Sequence, residues 1–155
     1  MNQVSIGTAN IEFDTASLHE VAEQILSILQ LQGVELSVLL CNDSFIHPLN
    51  RDYRGKDKAT DVLSFAQREG EGADADDPLL GDVIISVETA ERQAAERNIK
   101  ISDELQLLLT HGILHLLGYD HIDDDDAEIM EALEREILRE IIVEWGIEPR
   151  YIAAT

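Results

Sequence analysis

The residues best suited to chemistry lie between Thr110 and Asp124, which read THGILHLLGYDHIDD and hold three of the chain's five histidines. His111 and His115 are four positions apart, so on a helix they stand one above the other on a single face. Gly118 follows where the helical pattern runs out, and a glycine there can adopt the left-handed conformation that ends a helix. A turn over Gly118–Asp120 can bring His121 back towards the other two. One histidine on an apolar helix is ordinarily a satisfied core residue. Burying three together is unfavourable unless their ring nitrogens find partners, and a shared metal ion is the economical partner. Three imidazoles with a fourth position open to water make a catalytic zinc site, so one Zn2+ per chain held by His111, His115 and His121 is expected. Nickel, copper and iron accept the same donors.

The spacing His-x-x-x-His-x-x-Gly-x-x-His matches that of the metzincin peptidases with one departure. Those enzymes carry a glutamate directly after the first histidine as general base; this chain has Gly112. A glycine inside a helix costs about 1 kcal/mol against alanine, which marks Gly112 as a place where something comes close to the backbone. A metal-activated hydroxide can attack a carbonyl or a phosphorus centre. Without the glutamate, peptide hydrolysis lacks the base and the acid it needs. Phosphodiester cleavage develops negative charge on phosphate oxygens, for which a fixed arginine is the natural partner.

The run His-Gly-Ile-Leu-His-Leu-Leu-Gly-Tyr-Asp-His from His111 resembles the signature of the YbeY family of bacterial endoribonucleases. A second block is similar: Leu49-Asn50, Tyr53-Arg54-Gly55-Lys56-Asp57-Lys58 and Thr60-Asp61-Val62-Leu63-Ser64-Phe65, followed by Leu80-Gly81-Asp82. The acidic helix that follows and the tail Tyr151-Ile152-Ala153 fit as well, and Ala59 departs from the family's usual proline. The resemblance implies a single-strand-specific, zinc-dependent endoribonuclease of rRNA maturation. It implies work at the 3′ end of the small-subunit rRNA and in ribosome quality control, with ribosomal proteins or assembly GTPases as partner proteins. It also implies catalytic roles for Arg54 and His111, and RNA contact by Arg51, Arg54, Lys56 and Lys58. Two other readings stand beside it: a peptidase of metzincin-like geometry, and a non-enzymatic ribosome-assembly factor whose zinc is structural. A structural site usually has four protein ligands, and Asp120 is the candidate fourth.

With 32 acidic and 11 basic side chains the formal net charge is −21, which argues against a passive nucleic-acid binder. Yet Arg51, Arg54, Lys56 and Lys58 fall within eight positions, a basic island in an acidic chain. The plain alternative is a solvated loop, and for Arg54 a structural salt bridge. Cys41 is the only cysteine, so no internal disulfide is possible and a cytoplasmic location is the simple inference. Met1–Val4 lacks the start of a signal peptide, and the most apolar stretch, Leu105–Tyr119, is too short and too polar to span a membrane.

The elements that must position these residues follow from periodicity. Gln3–Ile6 with Ile11–Phe13 reads as an edge strand, and Val34–Cys41, Asp61–Ala66 and Leu80–Ser86 read as strands. Leu18, Val21, Ala22, Ile25, Ile28 and Leu29 recur at helical spacing, with Asp14 or Thr15 as the cap. Asp43–Tyr53 is ambiguous, because Pro48 would break a helix; His47 within it reads as a surface residue. Gln67–Pro78 reads as a mobile loop. Glu88–Asn98 predicts a helix, and Ser102 is the expected cap of the next one. That second helix is apolar nearly all round through Leu105, Leu108, Leu109, Ile113, Leu116 and Leu117, and is therefore expected to be buried. Asp123–Asp126 opens a last helix with Ile129, Leu133, Ile137, Ile141 and Trp145 as its packing stripe. The sum is an α+β single domain over residues 1–155. A small mixed sheet of about four strands is covered by four or five helices, with the metal site on a buried helix.

Overall fold

The computed structural model describes residues 1–67, 78–119, 123–143, 145 and 152–153. Its elements run β1 (Gln3–Thr8), β2 (Ile11–Glu12), α1 (Ala16–Ile28), β3 (Glu35–Cys41), α2 (Asp43–Arg54), β4 (Val62–Ala66), β5 (Leu79–Ser86), α3 (Val87–Arg97), α4 (Ile101–Leu116), α5 (Asp124–Glu140) and β6 (Ile152–Ala153). Four strands form a mixed sheet in the order β1-β3-β5-β4. β1, β3 and β5 are parallel and β4 is antiparallel to β5. β2 and β6 form a separate antiparallel pair. This is the α+β layout expected, with β1 at an edge. The span 68–77 inside the expected loop lies outside the described residues.

Alternation along the strands gives the sheet two apolar faces. Leu36, Val38 and Leu40 of β3 and Val83 and Ile85 of β5 meet the large core built with α1 and α4. Cys41, Leu63 and Ile46 form a smaller core under α2, with Phe65 and Ile84 packed against it. α4 packs against β4, β5, α1, α3 and α5, so it is the buried helix its sequence predicts. It starts one residue before Ser102, and Lys100 is the N-cap without a side-chain bond; Ser102 is buried inside the first turn instead of capping it. Thr15 is the N-cap of α1, also without a side-chain bond, while Asp14 accepts a hydrogen bond from the Ala16 amide.

Pro48 does not break α2. The cost of an internal proline, about 3 kcal/mol, is offset at both ends and along the buried face. Asn42 accepts from the Phe45 amide, Gly55 closes the C-terminus in the left-handed conformation, and Ile46 and Asn50 are buried. The Asp43 carboxylate accepts from the Ser86 hydroxyl at 2.6 Å, from the Thr89 hydroxyl and from the Arg92 guanidinium, latching α2 to the start of α3. Burial alone would raise the Asp43 pKa, but the three donors outweigh it and hold it below the usual carboxylate value. Burial, with Asp43 nearby, pushes the Cys41 thiol up to about 12, so it is an inert core residue. The α5 stripe is the expected one except at Ile129, which is 57% exposed: Ile137 is buried, and Leu133, Ile141 and Trp145 pack against the core, the last two beyond the helix end. Met130 and Glu134 are buried beside them.

Candidate metal centre and cleft

Both described histidines of the motif sit on the last turns of α4. The helix ends as its sequence predicts: Gly118 adopts φ 96°, its amide donates to His115 O and the Tyr119 amide donates back to Leu114 O. This paired closure turns the chain sharply after the second histidine. The His111 and His115 rings meet edge to face at 4.6 Å between centroids, with their Nε2 atoms 3.0 Å apart. Two ligands at zinc–nitrogen bonds of about 2.0–2.1 Å in a tetrahedron stand roughly 3.3 Å apart, so the pair needs little movement to hold one ion. His121 and Asp120 lie outside the described residues. Among the described residues the metal-ligating side chains do not reach a group of three.

A carboxylate not singled out in the sequence completes the arrangement. Glu134 Oε1 accepts from His111 Nδ1 at 2.6 Å, from α5 across to α4. With the proton on Nδ1, the Nε2 lone pair of the neutral ring points towards His115, the tautomer that metal ligation requires. Glu134 is only 9% exposed and lies between Met130 and Ile137 on the buried stripe of α5. A charged residue at that place in an apolar stripe was the signal available in the sequence.

Gly112, between the two histidines, faces the sheet. A Cβ there would stand 2.6 Å from Val83 Cγ1 and 3.3 Å from Ser64 Oγ, and the Ser64 hydroxyl donates to Gly112 O at 3.0 Å. The position of the peptidase glutamate is thus filled by the side chains of Val83 on β5 and Ser64 on β4, and any side chain there would have to shift Val83.

In front of the histidines lies a cleft of about 640 Å³, walled by Tyr53, Arg54, β4 with Thr60 and Asp61, His111 and His115. Arg54 therefore shares one space with both imidazoles. It occupies the last turn of α2, is exposed, and pairs with no carboxylate among the described residues. Arg51, Lys56 and Lys58 are exposed beside it and do not line the cleft; Arg51 Nε donates to Asp52 at 2.9 Å. The loop carrying the lysines is tied back to α2 by Asn50 Nδ2, which donates to Lys58 O at 2.9 Å. His47 is a surface residue against Asp57 at 2.7 Å, as expected. Further along α4 from the histidine pair, Glu104 is fully buried and accepts from Arg97 Nη1 at 3.2 and 3.1 Å. Burial is the largest influence on Glu104 and raises its pKa against the opposing pull of Arg97.

A family model described as Endoribonuclease YbeY matches residues 3–142 of this chain. The chain belongs to the YbeY family. Proteins named Endoribonuclease YbeY are 46% identical over 134 residues in Syntrophotalea carbinolica, covering 85% of this chain and 89% of that one. The Geobacter sulfurreducens relative is 50% identical over 125 residues, covering 79% and 83%. A chloroplastic Endoribonuclease YBEY of Arabidopsis thaliana is 53% identical over 107 residues, 69% of this chain but 18% of that longer protein. A solution structure from Thermotoga maritima superposes with a TM-score of 0.62 at 27% identity, covering 90% of this chain and 88% of that one. The YbeY blocks at Leu49–Phe65 and His111–Tyr119 are the segments that wall the cleft. No described helix of this YbeY chain is long and apolar enough to cross a membrane.

Proposed function

We propose that this chain is a metal-dependent endoribonuclease that cuts single-stranded RNA in the cleft between α2 and α4. The observation that carries the proposal is the meeting of Arg54, His111 and His115 on the walls of one cleft. The relatives' shared name supports the reaction class. In this reading His111, His115 and His121 would hold one Zn2+, and the ion, when bound, would supply an activated water and a positive charge near the phosphate. Arg54 donates in a fork to two phosphate oxygens and stabilises the negative charge that builds on them. Glu134 keeps His111 in the ligating tautomer. The physiological substrate is rRNA of the small ribosomal subunit, met in the cytoplasm, with ribosomal proteins or assembly GTPases as protein partners. Against the peptidase reading stands Gly112, whose position faces Val83 and Ser64 and has no room for a base.

The test combines metal content with cleavage of structured rRNA. Wild type is expected to carry about one zinc per chain and to cut, and His115→Ala to lose both metal and cleavage. Arg54→Ala is expected to keep metal and fold and lose cleavage by roughly 100-fold or more, the size of losing one transition-state donor. Arg54→Lys recovers part, because lysine keeps the charge without the planar fork. Wild-type protein with stoichiometric zinc that leaves RNA uncut would overturn the proposal.

A further inference from the structure

Resting on the endoribonuclease reading, we propose that Tyr53, propped by Phe65, is a stacking platform for one unpaired base of the RNA next to the bond that is cut. Tyr53 is 69% exposed, although it stands on the wall of the cleft that Arg54, His111 and His115 also line. Its ring is not loose: it meets Phe65 edge to face, with 5.1 Å between centroids and 72° between planes. Phe65 is in turn anchored in the small core under α2 with Leu63 and Ile46. One side of the Tyr53 ring is thus spent on fixing it, and most of the side chain is left to solvent. The adjoining residue, Arg54, is the one that grips phosphate in the proposed reaction, so a base on Tyr53 would belong to a nucleotide flanking that phosphate.

Electrostatics gives an independent reason for such a contact. Between residues 51 and 61 the four cations Arg51, Arg54, Lys56 and Lys58 face the three carboxylates Asp52, Asp57 and Asp61, within a chain of net charge −21. Arg51 is already paired with Asp52. So few free cations release few counterions on binding RNA, and the affinity must draw on contacts that do not depend on charge. Base–aromatic stacking is that kind of contact; it is open to any base and demands that the base be unpaired.

The test measures binding of a short single-stranded RNA whose cut site has been mapped with wild-type enzyme, by fluorescence anisotropy on metal-loaded protein. Tyr53→Ala should weaken binding by roughly 5- to 150-fold, the range for losing one stacked base. Tyr53→Phe, which keeps the face and drops the hydroxyl, should restore it. Replacing one nucleotide beside the cut site by an abasic one should weaken wild-type binding by a similar factor and have no further effect on Tyr53→Ala. Tyr53→Trp should show indole quenching on RNA binding beyond that of wild type, whose single tryptophan is Trp145. Tyr53→Ala that binds and cuts like wild type would overturn the platform and leave the endoribonuclease reading intact. Tyr53→Phe as impaired as Tyr53→Ala would assign the effect to the hydroxyl and overturn stacking. Wild type that neither binds nor cuts the RNA would overturn both.

Discussion

Removing the Glu134 carboxylate is the perturbation that most directly probes how the proposed metal centre would be held. Glu134 accepts from His111 Nδ1 at 2.6 Å and is only 9% exposed. A hydrogen bond to a charged partner at a buried site contributes about 1.5–3 kcal/mol. Losing it lets His111 adopt the other tautomer and rotate, and that energy is then withdrawn from metal binding. The conversion of about 1.4 kcal/mol per tenfold gives a loss of roughly 10- to 150-fold in affinity. Loss of carboxylate partners from metal-bound histidines in general costs a similar 10- to 100-fold. Glu134→Gln keeps shape and one acceptor oxygen but not the charge, so it should fall between wild type and Glu134→Ala. The assay is competition for zinc against a chromophoric chelator at neutral pH. It is paired with ¹⁵N NMR of the His111 ring, which should show protonation at Nδ1 in metal-free wild type and a mixture of tautomers in Glu134→Ala. Thermal unfolding of the metal-free proteins separates this effect from simple damage to α5. An affinity in Glu134→Ala within twofold of wild type, or a His111 tautomer unchanged by the substitution, would refute the reasoning.

Gly112→Ala should destabilise the metal-free protein: overpacking of about 1–3 kcal/mol against Val83 exceeds the gain of about 1 kcal/mol in helix propensity. Denaturant unfolding checks this, and an Ala variant more stable than wild type would show that Val83 yields freely. Glu104 has a folded-state pKa raised above its unfolded one, so the unfolded state sheds that proton first. Stability from this group is fully present below about pH 4.5 and declines as pH rises through the folded-state pKa. Glu104→Gln should remove that decline from the pH–stability curve, and an unchanged slope would mean that Arg97 cancels the burial. Removing metal with a chelator should lower the melting temperature by mass action yet leave a cooperative transition, because the large apolar core around α1, α4 and the sheet includes neither histidine. Outright unfolding by the chelator would favour a structural ion.

The sequence by itself determined the parts of this protein that local chemistry dictates. The near-continuous apolar run of α4 could only be buried, and Gly118 could only end it, so His111 and His115 were legible as a facing pair on a rigid element. The basic island was legible as well, since charge stands out in so acidic a chain. Where caps and tertiary packing override local preference, the sequence was a poorer guide. Pro48 argued against a helix, but the caps at Asn42 and Gly55 and the buried Ile46 and Asn50 hold α2 together, and its last turn delivers Arg54 to the cleft. The apolar spacing of α5 suggested a stripe through Ile129, which is exposed, and by itself did not mark Glu134 as buried beside Ile137, where a partner 2.6 Å away makes burying a carboxylate tolerable. Only the tertiary structure brought Glu134 to His111 and Tyr53 to Phe65, pairs 23 and 12 positions apart. Such contacts are set by how helices and strands stack, and no periodicity within one element encodes them.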